Sequence, residues 1–389
     1  MSGKWPTGKL GEVLRHRKDF ITIDDLKTYK RPRVQLHAKG IVQRDEILGA
    51  LIKTKTQQVC LKGEFLVAEI DAKVGGFGIV PSSLDGTIVS SHYFLFVVDE
   101  SKLHTRFLEF YIRTPAFREQ VAAQGSTNYA AIRPTDVLGY EIPLPPLAEQ
   151  RRLVARIEAL AAKIHEASTL RQQAVEEAEA LLVAMAHRSD LDIATKEREG
   201  WKRTKLSDVI EEVDDSHVVN ADHSYPNLGM YSFGRGLFHK PPIDGLATSA
   251  KSLRCVKEGQ FIYSRLFAFE GAYGMVTKEF DGAFVSQEYP TFKCDPHRIR
   301  AEFLVAYFKP AHVWKDVAIG SKGLGDRRQR VQPPQILSHE LWLPPLTWQN
   351  RLAEVRAEVD VLKCLQAETA GELGALLPAI LDRAFRGEI

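Results

Sequence analysis

Two long stretches of the chain carry apolar residues at helical spacing and almost no Gly or Pro. The first, Leu147 to His187, steps through Val154, Ile157, Ala161, Ile164, Ser168, Arg171, Val175, Ala178, Leu182 and Met185. The second, opening at Leu346, steps through Leu352, Val355, Val359, Leu362, Gln366, Thr369, Leu373, Leu376 and Ile380. Steps of three and four place these side chains on one face, so each stretch is predicted to be a helix with a coiled-coil seam. The predicted seam is Val154, Ile157, Ile164, Val175 and Leu182 against Leu352, Val355, Val359, Leu362, Leu373, Leu376 and Ile380. Both seams turn polar at mid-length, which predicts two helices that pair with each other in a register set by the polar layer. About 40 residues at 1.5 Å each make a helix on the order of 60 Å long. Pro378 is expected to kink the second one near its end.

Outside these stretches the period changes. Gly63 to Ile70 and Ile88 to Val98 read as short strands and Leu103 to Ala123 as helix, which together predict a compact α+β domain. Gly75 with Gly78, and Gly271 with Gly274, sit between apolar runs where turns or bulges are expected.

The same pattern occurs twice. Trp5, Lys9 and Leu10 return as Trp201, Lys205 and Leu206, an offset of 196 residues. At that offset Phe65, Gly75, Gly78 and Val80 match Phe261, Gly271, Gly274 and Val276, and Tyr93, Asp99, Phe107 and Tyr111 match Tyr289, Asp295, Phe303 and Tyr307. The offset becomes 199 where Leu144-Pro145-Pro146-Leu147 matches Leu343-Pro344-Pro345-Leu346, so three net residues enter around Gly320 to Pro334. A period this long is two copies of a whole domain with its trailing helix, not a solenoid. The expected plan is a domain at 1–146, a helix at 147–187, a linker at 188–200, a second domain at 201–345 and a second helix at 346–389. Compact domains tend to keep their termini close, so the end of the first helix should lie near the start of the second and the pair should be antiparallel.

Composition excludes several classes. No apolar run is long enough to span a bilayer and Met1 to Leu14 lacks the apolar core of a signal peptide, so the expected location is cytoplasmic. Cys60, Cys255, Cys294 and Cys364 form no Cys-x-x-Cys pair, which points to reduced thiols and to no metal site. The overall charge is only +2, but residues 1–146 hold 20 basic against 16 acidic side chains, with Lys27, Lys30, Arg31, Arg33 and Lys39 close together. Such a cluster suits phosphate contacts and equally suits a solvated basic face.

Two runs carry a family resemblance. Ile142-Pro143-Leu144-Pro145-Pro146-Leu147-Ala148-Glu149-Gln150-Arg151-Arg152-Leu153-Val154 resembles the helix start of specificity subunits of type I restriction-modification systems. Leu376-Leu377-Pro378-Ala379-Ile380-Leu381-Asp382-Arg383-Ala384-Phe385-Arg386-Gly387-Glu388 resembles their C-terminal signature. The second copy departs at Trp348 and Asn350, where the first has Glu149 and Arg151, while Gln349 keeps the place of Gln150. The resemblance implies two target-recognition domains separated by a long antiparallel two-helix coiled coil, reading a bipartite asymmetric target in double-stranded DNA. It also implies two modification (methyltransferase) subunits, which bind S-adenosylmethionine, and restriction/translocase subunits as partners, with no cofactor on this chain.

For DNA contact the candidates are Lys30, Arg31 and Arg33, as phosphate ligands, and Asn128, Tyr129, Lys322, Arg327, Arg328 and Arg330, where the two copies diverge most. Arg235 and Lys240 are added from the Gly-rich stretch of the second copy. A solvated loop is the competing reading for each group. His92 and Glu288 occupy equivalent positions and differ, as residues reading different targets would, and equally as strand surface residues would. No Asn/Asp-Pro-Pro-Tyr, His-Glu-x-x-His or Walker sequence is present, so the chain is expected not to be an enzyme. Asp71-Ala72-Lys73 resembles half of a nuclease motif, but the second copy has Phe267-Ala268-Phe269 there. Three readings compete with the first: a recognition subunit of another DNA-modifying system, a magnesium-dependent nuclease, and a coiled-coil scaffold that does not touch DNA.

Overall fold

A computed structural model describes residues 5–122, 131–319 and 330–389. The chain divides into two compact units, Met1–Leu170 with Thr369–Ile389, and Arg171–Glu368.

The repeat is reproduced strand for strand. In the first unit a four-stranded sheet runs in the order Leu14–Arg17, Tyr93–Val98, Phe65–Ala68, Phe77–Ile79. In the second the order is Ile210–Val213, Thr291–Cys294, Phe261–Tyr263, Tyr273–Met275. Phe96 sits opposite His16 and Phe65, and Phe292 opposite Glu212 and Phe261, so the pairing register is the same in both copies. The helix Pro134–Gly139 and its counterpart Pro333–Ser338 already stand at the larger offset, whereas Pro115–Ala122 and Ala311–Ala318 still stand at the smaller one. The insertion therefore falls between Ala318 and Val331.

These strands do not alternate apolar and polar residues because both faces of the sheet are covered. Phe65, Val67 and Phe96 face a helical core with Phe77, Phe107 and Phe117, while Leu66 and Leu95 face a smaller cluster with Ile41, Cys60 and Val80. Phe261, Tyr263 and Phe292 repeat the first arrangement and Ile262, with Leu228, Val256 and Val276, repeats the second. Gly75 and Gly271 end equivalent turns at φ of +82° and +80°. A Cβ on Gly75 would lie 2.7 Å from the Ala38 nitrogen, and one on Gly271 2.8 Å from Trp314, so both positions require glycine.

The two long helices are Leu147–His187 and Leu346–Phe385. Each starts after a double proline and is tied to its domain by one buried amide. Gln150 Nε2 donates to the carbonyls of Lys102 and Pro145, both at 2.9 Å, and its Oε1 accepts from His104 N at 2.8 Å. Gln349 makes the same three bonds, to Arg298 O at 3.0 Å, Pro344 O at 2.8 Å and from Arg300 N at 2.8 Å. Both side chains are fully buried. Trp348 and Asn350 serve contacts of their own: Trp348 Nε1 donates to Met185 O at 2.9 Å and Asn350 Oδ1 accepts from Arg300 Nε at 2.9 Å.

Within each unit the helices pair antiparallel. In the second unit Trp348, at the start of one helix, meets Met185, near the end of the other, and Arg171 and Gln366 exchange side chain-to-carbonyl hydrogen bonds at 2.5 and 3.2 Å. Those two residues belong to the polar layer that the sequence predicted. In the first unit Leu153, Val154 and Ile157 share a core with Leu381 and Ala384, and the Phe385 ring packs 4.9 Å from Phe107 and 5.1 Å from Tyr111. Gly387, at φ 78°, ends this helix with Glu388 N donating to Arg383 O at 3.0 Å.

Val154, Ile157, Leu182, Leu352 and Val359 are buried, and Ile164, Val175, Val355, Leu362, Leu373 and Ile380 are half-buried. Leu376 departs from the expected seam: it is 44% exposed, and Leu377 packs on the core in its place. The true helical period exceeds the 3.5 of a strict heptad, so the inward face drifts from the third to the fourth residue after Leu373. The helix continues through Pro378. The stretch expected as a linker holds a short helix, Ile193–Arg198, capped by Asp192 accepting from Thr195 N at 2.7 Å.

Two imidazoles flank Tyr307 in the second unit. The His187 ring stacks on it at 4.7 Å and donates Nε2–H to its carbonyl at 2.9 Å, while His339 Nε2 lies 2.9 Å from its hydroxyl. Burial lowers the pKa of both from the ordinary 6.5. The unfolded chain therefore binds protons that the folded one refuses. Stability should be full above about pH 6.5 and fall as the pH drops below it, levelling once the folded-state values are passed. The unfolding midpoint followed from pH 7.5 to 5.5 checks this, and H187Q/H339Q should flatten the curve.

Candidate nucleic-acid interface

The basic cluster of the first unit lies on a two-stranded ribbon, Thr28–Gln35 paired with Gly40–Leu48, which bulges between Arg31 and Pro32. Its charges are not equivalent. Arg31 is held by Asp45 through two hydrogen bonds of 2.8 and 2.7 Å, which raise the guanidinium pKa and lower that of the carboxyl. Lys30 faces Glu46 at 3.4 Å. Arg33 is exposed and makes no ion pair among the described residues. A paired guanidinium attracts phosphate weakly, and of the three only Arg33 carries a charge with no ion pair among the described residues.

The second unit has a matching ribbon, Ser224–Met230 with Leu237–Asp244. Lys240 is exposed there, opposite Asn227, again without an ion pair among the described residues. Arg235 lies in the connecting turn, its guanidinium 5.0 Å from the Tyr231 ring and its Nε donating to Ser232 O at 3.1 Å. Arg330 pairs with Glu288 at 3.1 Å. Asn128, Tyr129, Lys322, Arg327 and Arg328 lie outside the described residues. R33A and K240A are each expected to weaken binding to random-sequence duplex and to lower its salt slope by about one, while R31A should change the slope less. Anisotropy titrations over a range of salt concentrations decide this.

In the first unit a cleft of about 380 Å³ is lined by His16, Lys18, Gln58, Glu69, Tyr93 and Arg133, among others. His92 Nδ1 lies 2.6 Å from Oε2 of Glu69, one of the lining residues. His16 is held below its ordinary pKa by burial and by nearby Lys18. The equivalent positions in the second unit carry Glu212, Asp214, Arg254, Arg265, Tyr289 and Gln332. Motif reading missed Arg254 and Arg265, which lie outside any basic run; comparing the two copies position by position would have found them.

The nuclease-like triplet has a structural role. Asp71 accepts from Val74 N at 3.1 Å and from Gly76 N at 2.8 Å through its backbone carbonyl, and Phe267 forms the same turn. Among the described residues one group of side chains, Asp215, His217 and Cys255, brings possible metal-donor atoms within 4.8 Å of one another. Burial raises the Cys255 thiol pKa, the opposite of what a metal-held thiolate needs, and the first copy has Asp19, Ile21 and Val59 there.

The two-fold repeat, with the same register in both copies and polar positions that differ, has a match among known families: residues 3–176 fit the model described as "Type I restriction modification DNA specificity domain". Residues 3–176 belong to that family. The second copy, aligned with this specificity domain strand by strand, extends the same architecture to the rest of the chain. One similar solved structure is a chain from a study of complex assembly and conformational transition of the type I R-M system, at 22% identity and TM-score 0.65, covering 100% of this chain and 98% of that one. Another is an HsdS subunit from Thermoanaerobacter tengcongensis, at 23% identity and TM-score 0.56, covering 99% of this chain and 97% of that one. At these identities the two structures speak for the fold. No curated protein matches the sequence significantly. The matched model describes a domain for DNA specificity, a recognition role.

Proposed function

We propose that this chain reads a bipartite, asymmetric DNA target, each globular domain contacting one half, and positions modification and restriction subunits on it. The observation that carries the reading is a duplication whose strand register is preserved while its exposed polar residues are exchanged. Selection that holds a backbone constant and varies its surface is what two readers of different sequences require. The domains comprise 1–146 and 201–345, and the helices 147–187 and 346–389 join them into one binding unit. Linking two short recognitions multiplies their affinities.

S-adenosylmethionine belongs to the two modification subunits in this reading, and the restriction/translocase subunits join the same assembly. No helix among the described residues is long and apolar enough to cross a membrane. A cytoplasmic location is part of the proposal, since the DNA is there. On the paired helices Leu170, Val361, Leu365 and Leu376 are exposed, and the partner subunits would cover them.

The test is coexpression with a cognate methyltransferase subunit and mapping of adenine methylation by single-molecule sequencing. A divided motif that appears only with this chain supports the proposal. Unchanged methylation, together with no DNA binding by the isolated chain at low salt, would leave the scaffold reading in its place.

A further inference from the structure

We propose that Glu69 with His92 in the first domain, and Arg265 with Glu288 in the second, are base-reading residues that set the choice at one position of each half-target. This deepens the proposed function and rests on it.

The two positions are the same place in the fold. Residue 69 follows the strand Phe65–Ala68 and residue 92 precedes Tyr93–Val98. Glu69 N donates to His92 O at 2.9 Å, and Arg265 N donates to Glu288 O at 2.9 Å. Ile132 N donates to Glu69 O at 3.2 Å, and Val331 N to Arg265 O at 3.1 Å. Three segments thus meet identically in both copies. On this constant backbone the side chains trade chemistry: an acid and an imidazole in the first copy become a guanidinium and an acid in the second. The two positions change together while the backbone hydrogen bonds that join them stay the same.

The neighbouring positions change in the same way. His16 and Lys18 become Glu212 and Asp214, and Gln58 becomes Arg254, while the apolar frame of Tyr93 and Ile132 persists as Tyr289 and Val331. A polar set that varies over a fixed apolar frame is the composition of a reading surface. Both sites also border the stretches, 123–130 and 320–329, where the two copies differ most in sequence.

Hydrogen-bonding capacity is left over at this place. In the first copy His92 and Glu69 bond each other, and the His92 side chain is 68% exposed. In the second, Arg265 Nη2 donates to Gln332 Oε1 at 2.6 Å and Glu288 Oε1 takes Arg330 at 3.1 Å. Arg265 Nε and Glu288 Oε2 remain buried without a hydrogen bond among the described residues. So do Nε and Nη1 of Arg254, a residue only 6% exposed whose ion pairs with Glu212 and Asp214 are long, at 3.5 and 3.7 Å. Buried polar atoms without partners are costly, and a ligand that supplies partners relieves that cost. A base edge does so: a guanidinium donates to guanine O6 and N7, and a carboxylate accepts from the amino group of cytosine or adenine.

The experiment is selection of a randomised duplex library by the full chain. Wild type, E69R/H92E, the reciprocal R265E/E288H, and H92Q, which alters one exposed side chain, are compared after their unfolding midpoints are measured. Each swap should change the preferred base at one position of the half-target read by its own domain, by roughly tenfold in enrichment, and leave the other half unchanged. E69R/H92E should gain guanine there, and H92Q should relax the choice at the same position. Folded swaps that select the wild-type target overturn the proposal. Should the swaps not fold, H92Q decides: enrichment identical to wild type overturns it too. If wild type itself enriches no sequence, the proposed function falls, and this inference with it.

Discussion

Replacing Glu64 with Gln is expected to destabilise the first unit by about 3 kcal/mol, the cost of removing the buried partner of a buried guanidinium that then keeps only the exposed Asp19, 3.1 Å away, as a counter-charge. Arg17 and Glu64 are 8% and 3% exposed. Arg17 Nε and Nη2 reach the two Glu64 carboxylate oxygens at 2.5 and 2.8 Å, Nη2 also donates to the Val59 carbonyl, and Leu61 N donates to Glu64 Oε2 at 2.8 Å. Hydrogen bonding to Glu64 raises the pKa of Arg17, and a guanidinium remains protonated at neutral pH without that help, so the charge stays when its partner is neutralised. The repeat supplies the control. At the equivalent positions the second copy has Val213 and Gln260, and Gln260 keeps the turn contact, accepting from Lys257 N at 2.9 Å. R17V/E64Q should therefore recover most of the loss, because replacing both charges removes the desolvation along with the attraction. Urea unfolding of wild type, single and double variants measures this, and a double variant no more stable than E64Q would defeat the argument.

The second large effect is expected at Gln150 and Gln349. Either changed to Leu strips three hydrogen bonds from a buried site and leaves two carbonyls and one amide without partners. At about 1–3 kcal/mol for each orphaned group, the cost is on the order of 4 kcal/mol, allowing for water reaching some of them. Gln→Glu separates the terms, since the carboxylate still accepts from His104 N or Arg300 N but cannot donate to the two carbonyls. It should lose the most at neutral pH and regain part of the loss in acid, where a protonated carboxyl donates again. Equal stability of Q150L and wild type in denaturant would show that the amide does not anchor the helix.

These anchors explain a feature of the sequence that pattern alone left open. Gln150 and Gln349 recur at the head of otherwise different helix starts, Glu149-Gln150-Arg151 and Trp348-Gln349-Asn350. The neighbours differ because they point to contacts specific to each copy, such as Trp348 with Met185. The amide persists because both domains offer the same three backbone groups.

The candidate interface was less legible than the fold. Clustering of basic residues drew attention to Lys30, Arg31 and Arg33 alike, yet Asp45, fourteen residues away in sequence, neutralises Arg31 and leaves Arg33 free among the described residues. Cross-strand pairing decides which charge is available, and composition does not contain it. Arg330, expected to reach DNA, is engaged by Glu288 for the same reason.

The sequence by itself determined the duplication, the α+β character of each copy, the two long helices and the polar layer between them. These rest on periodicities of two, of three to four, and of nearly two hundred residues, all of which are local in the chain or repeated along it. Only the tertiary structure decided that Leu377 rather than Leu376 faces the core, that one buried amide ties each helix to its domain, and that residues 69 and 92, or 265 and 288, adjoin. Such contacts join segments far apart in sequence, and their chemistry depends on which side chains the strand register brings face to face.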